Sequence, residues 1–330
     1  MAWNYAESAK STVQAGSGIQ LLNEEIAGFL AAGIDEAMNL YAATPQEGVK
    51  YYKVKNVSGN NYKSQEMLGI GLMKVNSDGE QLPIEKQIAG FSQTIVNYVL
   101  RNAMAITRET LETDRYGVIG DHSRALLHSA NKTLEYIYAD SFNRGFGTSN
   151  LSLLCEDGLG MFSAVHVNPR AAAGTWSNLD SGGVLTAAAV ASNRTAFKTY
   201  TDGNGDLDPQ KLVKVIVAPE QEDTMREISG STLKVDTSLN NTNVVSGTPY
   251  ECWSWLTAGN VIYMGDGDNG LEFHVRKNPE IMSFNDGTNP DKLWSRVRMA
   301  IGTGCKRPGK WRGANNIQPR LFNGGRKLPS

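Results

Sequence analysis

Hydrophobic residues recur every three or four positions in two long stretches of the chain, which is the spacing of one helical face. The first stretch covers residues 19–41 and stops at Thr44-Pro45. The second covers residues 121–143, with Asp121 as a plausible N-cap and Gly145 as a stop signal. At ~1.5 Å per residue the second helix would be about 33 Å long, which is typical of a backbone element rather than a packing accessory.

Shorter patterns complete the prediction. Residues 186–200 and 219–230 predict two further helices, the second with Pro219 at its first position and acidic residues in its first turn. Runs rich in Val, Ile and aromatic residues predict strands at 51–57, 67–75, 84–100, 212–218, 253–256, 261–264, 271–275 and 293–301. Helices and strands interleave without a regular strand–helix alternation, so the predicted fold class is α+β.

Two of these segments have no obvious partner within the chain. The strand-rich stretch 49–101 contains few large apolar side chains and cannot build a core of its own. We therefore expect it to project as a β-loop and lie on a neighbouring subunit. The helix at 19–41 has an apolar stripe, but no second helix follows nearby to cover it.

Composition indicates a folded globular protein. The chain has 330 residues, of which 40% are hydrophobic and 20% charged, and this excludes an extended disordered chain, a collagen or a long coiled coil. The longest apolar run, residues 26–34, is too short for a membrane span, and the N-terminus lacks the layout of a secretion signal. Cys155, Cys252 and Cys305 form no pair motif, which predicts reduced thiols in a protein assembled in the cytoplasm.

Charge is distributed unevenly. Residues 292–330 contain ten basic and no acidic residues; because the whole chain has a net charge of −2, the first 291 residues carry −12. Within the basic part, Lys306, Arg307, Lys310 and Arg312 surround Trp311 in a Gly/Pro-containing loop. These residues could contact a polyanion such as DNA, or pair with acidic patches of the same chain or of a neighbouring subunit. The sequence leaves these alternatives open.

Motifs for catalysis or metal binding are absent or incomplete. Asp202, Asn204 and Asp206 match the start of a calcium loop, but Leu207 and Val213 stand where its Gly and Glu are required. No His or Cys pair has zinc-chelating spacing, and neither a nucleophile elbow nor a phosphate loop is present. Cys252, His274 and Asp266 lie close enough in sequence for a cysteine hydrolase, although a strand cysteine among aromatic residues is normally an inert thiol. We expect a binding or structural role, without metal or cofactor.

The middle and end of the chain resemble a known family. The run ITRETLETD at 106–114, followed by the helix to Asn143, resembles the approach to the long spine helix of tailed-phage major capsid proteins of the Hong Kong 97 type, most of all the head subunits of Mu-like phages. Six further segments agree in kind and order: DGLGMFS at 157–163, HVN at 166–168, LTAA at 185–188, VIVAPE at 215–220, WSRVR at 294–298 and WRGANN at 311–316. The resemblance covers residues 106–316, about two thirds of the chain.

The resemblance implies a division of the chain. Its parts are an N-terminal arm (1–48), an extended β-loop (49–105), a peripheral domain (106–208 and 291–330) with the spine helix at 121–143, and an axial domain (209–290). It implies a non-enzymatic major capsid protein, assembled in the host cytoplasm as hexamers and pentamers into the icosahedral shell of a virion. Expected partners are copies of the chain itself, portal and scaffolding proteins, decoration proteins and, non-specifically, double-stranded DNA; no membrane is involved.

Two alternatives remain at this point. One is an encapsulin-like compartment shell with the same fold and no genome. The other is a cysteine hydrolase that uses Cys252 and His274.

Overall fold

The computed structural model describes residues 46–315 apart from residues 74, 77–78, 80, 82–83, 85–88, 108, 110–112, 114–117, 148–153, 171–173, 181, 234–240 and 286–291. The predicted helix at 19–41 and nearly all of the predicted N-terminal arm lie outside the described residues. The structure begins with a 3-10 helix at Gly48–Tyr51.

The long central helix, α1, spans Val118–Asn143 and begins three residues before the predicted start. Its buried side chains follow the helical period. They include Leu126, Leu127, Ala130, Leu134, Ile137, Tyr138 and Phe142. The structure therefore confirms the helix that the hydrophobic spacing predicted.

A four-stranded sheet has the order β1-β11-β12-β4. Its strands are β1 (Lys53–Asn56), β11 (Leu271–Asn285), β12 (Lys292–Cys305) and β4 (Tyr98–Thr107). β1 runs parallel to β11, with Val54 opposite Phe273. Strands from both ends of the described chain thus lie side by side.

A five-stranded sheet has the order β7-β13-β10-β8-β9. Its strands are β7 (Leu179–Asp180), β13 (Trp311–Asn315), β10 (Asn260–Gly265), β8 (Leu212–Val217) and β9 (Tyr250–Cys252). Inner strand β8 reads as an almost continuous run of Val, Leu and Ile, as expected for a strand that is covered on both faces. The predictions of β8 and β10 are confirmed.

One face of the five-stranded sheet packs against two helices, α2 (Ala187–Lys198) and α3 (Glu222–Gly230). Thr186 caps α2 by accepting a hydrogen bond from the Ala189 amide. Phe197 of α2 and Met225 of α3 are buried in a cluster with Val215, Val217 and Tyr263 of the sheet. This cluster is the aliphatic core of the chain.

Aromatic side chains form a second cluster, separate from the aliphatic core. It contains Tyr51, Tyr52, Tyr138, Phe142, Trp253, Phe273 and Trp311. Ring centroids lie 4.9 Å apart for Tyr51 and Trp253, and 5.0 Å apart for Phe142 and Trp311. Most pairs meet edge-on or tilted, which is the arrangement that ring quadrupoles favour. The cluster joins α1, the 3-10 helix, β11 and β13.

Two strand predictions were wrong. Residues 68–73 do not continue strand β2 (Asn61–Met67), which pairs with β3 (Ala89–Val96) in a two-stranded ribbon. Residues 253–256 form a turn instead of a strand, because the Trp253 ring is buried in the aromatic cluster and Leu256 donates its amide to the Trp253 carbonyl. The predicted strand at 84–100 is divided into β3 and β4 at Asn97, whose amide donates to Asn60 O.

The described chain separates into two compact units. The smaller unit contains residues 101–130 and 281–297, and in it Leu126, Leu127 and Ala130 of α1 pack against Val297 of β12. The larger unit contains residues 46–100, 131–280 and 298–315. It holds the five-stranded sheet, the ribbon and the aromatic cluster.

We predict that Leu134→Ala lowers the free energy of unfolding by about 2–5 kcal/mol, because the side chain is buried on α1 and its removal leaves a cavity. Urea unfolding of the unassembled subunit measures this. Leu207→Ala is the matched control, since Leu207 is 66% exposed, and it should change the value by less than about 0.5 kcal/mol. Equal effects of the two substitutions would show that the face of α1 is not packed as described.

Candidate functional site

The prediction that the cysteines do not pair was wrong for two of the three residues. The structure joins Cys155 and Cys305 by a disulfide across 150 residues of sequence. The two residues form a parallel β-bridge and are both buried, so the fold, and no spacing motif, places the sulfur atoms together. Cys252 is the free cysteine.

Opposite charges flank this disulfide. Glu156-Asp157 follow the first cysteine and Lys306-Arg307 follow the second, and the parallel bridge sets the acidic pair beside the basic pair. The basic segment approaches the neighbouring backbone closely, since a Cβ on Gly270 would lie 2.1 Å from the Arg307 carbonyl oxygen. We call residues 306–312 the basic segment and Glu156-Asp157 the acidic strip. The basic segment thus begins beside the acidic strip of its own chain.

Lys306 is part of a buried ion cluster around Glu272. The Glu272 carboxylate is 3% exposed and accepts from Lys55 Nζ at 2.7 Å and from Lys306 Nζ at 2.9 Å. His274 Nε2 lies 3.1 Å from its other oxygen. Burial by itself disfavours the charged form, but hydrogen bonds from His274, Lys55 and Lys306 outweigh it and hold the pKa of Glu272 far below the usual range.

Arg307 is a hub between three parts of the larger unit. Its guanidinium donates to Tyr200 OH at 2.7 Å, to Asn168 Oδ1 at 2.9 Å and to the Thr201 carbonyl at 3.0 Å. It also lies over the Trp176 ring, 4.7 Å from the centroid. The planar fork of arginine suits this combination of hydrogen bonds and stacking, which a lysine could not reproduce.

Trp176 is held between Arg307 and His166. The His166 ring stacks on Trp176 with centroids 4.6 Å apart, and its Nδ1 lies 2.6 Å from Asp157 Oδ2. Burial alone would raise the pKa of Asp157, but its hydrogen bond to His166 and amide donors lower it. Because both side chains are buried and His166 Nε2 lies near Met161 O and Asn178 Oδ1, this pair positions the loop and faces no substrate space.

The other two cations of the basic segment differ from each other. Arg312 donates to Asn193 Oδ1 at 2.9 Å and to the Ser177 carbonyl at 2.7 Å, which fixes β13 to α2. Lys310 is half-buried, and desolvation lowers its pKa despite the nearby carboxylates of Asp268 and Asp266. Three cations of the basic segment therefore have hydrogen-bond or ion-pair partners within the described chain: Lys306, Arg307 and Arg312.

Glu156 is the carboxylate of the acidic strip that lacks hydrogen-bond partners in the described part of the chain. Both of its carboxylate oxygens are buried and accept no hydrogen bond within the described residues. Burial, and secondarily the negative charge of Glu66, raise the pKa of Glu156 to about 8, while Lys306 acts in the opposite direction. Burial also raises the pKa of Glu66 itself. The signal for this cluster in the sequence is limited to the acidic pair after one cysteine and the basic pair after another.

The Cys252–His274 pair has no catalytic geometry. Cys252 lies on β9 of the five-stranded sheet, and burial with the nearby Glu222 raises the pKa of its thiol, which opposes nucleophilic attack. His274 lies in the four-stranded sheet against Glu272 and the Tyr62 ring. Asp266 accepts instead from the Lys211 amide at 2.7 Å. The proposed triple is therefore dispersed.

Asp202 belongs to a turn. Its Oδ1 accepts the amides of Asn204 at 2.8 Å and Asp206 at 2.9 Å, so the calcium-loop pattern is used for local hydrogen bonding. Within the described ranges, no group of three or more His, Cys, Asp or Glu side chains is arranged to hold a metal ion. No helix in the same ranges is long and apolar enough to cross a membrane.

Six exposed apolar side chains lie from the end of β2 to residue 84, between the two strands of the ribbon, and we call them the apolar row. Leu72 is 76% exposed, and Met73 and Val75 are fully exposed. The complete row is Met67, Ile70, Leu72, Met73, Val75 and Ile84. A concentration of large apolar side chains on one projecting segment marks a contact surface rather than scattered surface residues.

Comparisons with known proteins agree with the sequence resemblance. Residues 102–315 match the family model described as phage capsid protein. Among solved structures, the chain is similar to the capsid of Ralstonia phage GP4 (9% identity, 82% of this chain and 88% of that chain, TM-score 0.54). It is also similar to the asymmetric unit of the bacteriophage PhiM1 mature capsid (11% identity, 83% and 89%, TM-score 0.51) and to that of the Cyanophage Pam1 capsid (12% identity, 82% and 92%, TM-score 0.51).

No curated protein is significantly similar to the chain. The solved structures, at these identities, establish the fold, so the predicted α+β capsid fold of the Hong Kong 97 type is confirmed. The narrower resemblance to Mu-like phages stays a prediction.

The raised pKa of Glu156 predicts a pH-dependent stability. Between about pH 5 and pH 8 the unfolded chain loses the Glu156 proton while the folded chain keeps it, so this group's stabilising contribution falls as pH rises. Glu156→Gln should remove about 1–2 kcal/mol of that fall, a value reduced for partial solvent access. Urea unfolding of the unassembled subunit at both ends of this range measures it. The exposed Glu227→Gln serves as control, and identical slopes for Glu156→Gln and wild type would contradict the assignment.

Proposed function

The chain belongs to the phage capsid protein family, and from this premise we propose that its copies assemble as hexamers and pentamers into a closed icosahedral shell around the double-stranded DNA genome of a tailed phage. It is a major capsid protein of the virion, and its role is structural. The apolar row is the observation that carries the proposed mode of assembly.

The row is costly for a free monomer. Transfer of a Leu, Ile or Met side chain from water to a protein interior is worth roughly 1.5–3 kcal/mol when burial is complete. In the described chain this free energy is not gained, because the side chains of the row remain exposed, among them Ile70, Leu72 and Met73. A neighbouring copy that covers the row recovers it, and a symmetric shell repeats the contact at every subunit.

The proposed division of the chain follows the expected parts. We assign residues 1–48 to the arm, 49–105 to the extended loop, 106–208 and 291–330 to the peripheral domain and 209–290 to the axial domain. The ribbon of β2 and β3 falls in the extended loop and α1 in the peripheral domain. Since β13 pairs with β10 of 209–290 and β7 pairs with β13, we propose that these two strands also join the axial domain.

The contacts of the basic segment favour different roles for its four cations. Lys306, Arg307 and Arg312 each have intrachain partners, which favours a structural role for them. The Lys310 carbonyl accepts from the Gly265 amide, but its ammonium group forms no hydrogen bond or ion pair in the described part of the chain. We therefore propose Lys310 as the member of the segment that contacts DNA or a neighbouring subunit.

Assembly in the host cytoplasm, and contacts with portal, scaffolding and decoration proteins, belong to the same proposal. A shell that must contain and release a genome needs a portal vertex and a guide for its size. The family and the fold support the shell; these partners are proposed from the role that a major capsid protein has in a tailed phage.

Electron microscopy and sedimentation of the expressed protein test the proposal. Closed shells of uniform diameter are expected. A monodisperse monomer under all assembly conditions would contradict shell formation. The ratio of nucleic-acid to protein absorbance of particles isolated from infected cells separates a genome-containing head from an encapsulin-like compartment.

We predict that Leu72→Asp prevents shell formation without unfolding the subunit, because Leu72 is exposed in the monomer and a buried carboxylate in an interface lacks a partner. Thermal melting and electron microscopy of one preparation measure both properties. Leu72→Met keeps the apolar volume and should assemble normally. Normal shells from Leu72→Asp would show that no copy covers the row.

We predict that Lys310→Ala leaves the melting temperature of the subunit near the wild-type value but lowers the yield of DNA-filled particles, because it removes a charge that forms no ion pair or hydrogen bond within the described residues. Arg312→Ala should instead destabilise the subunit, since it breaks the bonds to Asn193 and Ser177. Complementation of a phage with a defective capsid gene, followed by quantification of filled heads, measures the first effect. Lys198→Ala, on exposed α2 surface, is the control, and wild-type yields from Lys310→Ala would refute the contact.

A further inference from the structure

The base of the ribbon is fixed by a small set of buried contacts. Ile95 of β3 and Asn97, which directly follows the strand, are buried, unlike the side chains of the apolar row. Gln93 of β3 holds two separate segments, since its Nε2 donates to the Leu154 carbonyl and its Oε1 accepts from the Cys305 amide at 3.1 Å. A Cβ on Gly304 would lie 2.2 Å from Ile95 Cδ1, so β12 packs directly against this base.

The disulfide joins the two segments that Gln93 contacts. Cys155 directly follows Leu154, and Cys305 is the residue whose amide Gln93 binds. The disulfide therefore links covalently the two segments that contact the ribbon base through Gln93. Whether the bond is present therefore decides how far the two segments can separate beneath the ribbon.

The two segments also have non-covalent contacts that do not need the bond. The Cys155 amide donates to Leu159 O at 2.8 Å, the Lys306 amide to Gly270 O at 2.7 Å, and Lys306 pairs with Glu272. Cys305 Sγ lies 3.4 Å from the Lys306 carbonyl, an acceptor that a reduced thiol would use. The fold therefore accommodates the dithiol as well as the disulfide.

We propose that Cys155 and Cys305 form a redox-controlled lock on the ribbon base. The pair is a dithiol while subunits are made and assembled in a reducing cytoplasm, and it becomes a disulfide after the particle is released. This inference rests on the proposed function, because only a shell that is built in one compartment and released to another experiences both redox conditions.

The oxidation proceeds by thiol–disulfide exchange with a small-molecule disulfide such as oxidised glutathione. Because both cysteines are buried, the two segments must first separate locally at the ribbon base to expose a thiol. The exposed cysteine thiolate then attacks a sulfur of the external disulfide, which forms a mixed disulfide and expels one external thiolate. The second cysteine thiolate then attacks the mixed disulfide, which forms Cys155–Cys305 and expels the second external thiolate. Two protein thiols are oxidised, one external disulfide is reduced to two thiols, and the two protons pass to the expelled thiolates.

The order of events has a physical consequence. Before oxidation the ribbon base depends on hydrogen bonds and the Glu272 ion cluster, so the ribbon can adjust while it docks on a neighbour. After oxidation the bond closes a loop of 150 residues, which restricts the unfolded chain and disfavours opening of the base. The lock thus favours assembly first and durability afterwards.

The test uses shells formed in a bacterial cytoplasm and lysed directly into a thiol-alkylating reagent. Mass spectrometry should find Cys155 and Cys305 alkylated in these shells, and linked after treatment of unalkylated shells with oxidised glutathione. Oxidation should raise the melting temperature of the shells by at least about 5 °C and slow hydrogen exchange in residues 89–97. Reduction of wild-type shells should reverse both effects without any substitution.

Variants complete the test. Cys155→Ala and Cys305→Ala shells should not respond to oxidant, whereas Cys252→Ala shells should respond as wild type does. A bond already complete in the directly alkylated lysate, or an oxidised shell with unchanged melting and exchange, would overturn the lock. Absence of any shell from wild-type protein contradicts the proposed function instead, so the two failures are distinguishable.

Discussion

A single segment, residues 298–315, supplies the contacts on which both large sheets depend. Its first part belongs to β12, an inner strand of the four-stranded sheet, and its last part is β13, an inner strand of the five-stranded sheet. Between them Lys306 neutralises buried Glu272 and Arg307 stacks on Trp176. Trp311 then enters the aromatic cluster against Phe142. The sheets can therefore be completed only after almost all of the chain has been synthesised, which gives the fold a large share of long-range contacts.

This constraint explains why so much positive charge lies near the end of the described chain. A buried pair such as Lys306–Glu272 adds little net stability compared with apolar packing, but loss of one partner leaves an unpaired buried charge and is expensive. The basic residues therefore specify where the segment docks. They are poor candidates for a freely available DNA-binding patch, with Lys310 as the exception that the geometry leaves.

The sequence was informative wherever local chemistry decides structure. The helical spacing of α1, the start of α2 near residue 186, the Pro219 start before α3 and the apolar run of β8 all depend on neighbours in sequence, and each was predicted. The turn at 253–256 was missed because Trp253 is placed by distant aromatic partners. The Cys155–Cys305 bond and the Glu156 cluster were missed for the same reason, since 150 residues separate the acidic pair from the basic pair. Lys306, Arg307, Lys310 and Arg312 could be singled out from the sequence, but their intrachain partners could not, and their role at an interface stays a prediction.

The ribbon of β2 and β3 and the segment between these strands differ in burial. The ribbon base is buried in its own subunit, whereas the apolar row at its tip has its hydrophobic area exposed. Our account is that identical copies on a closed lattice cover this row. A cryo-electron microscopy map of the assembled particle at side-chain resolution tests this most directly. The account predicts density for residues 67–84 pressed against an adjacent subunit; a ribbon folded back on its own subunit, or free in solvent, would contradict it.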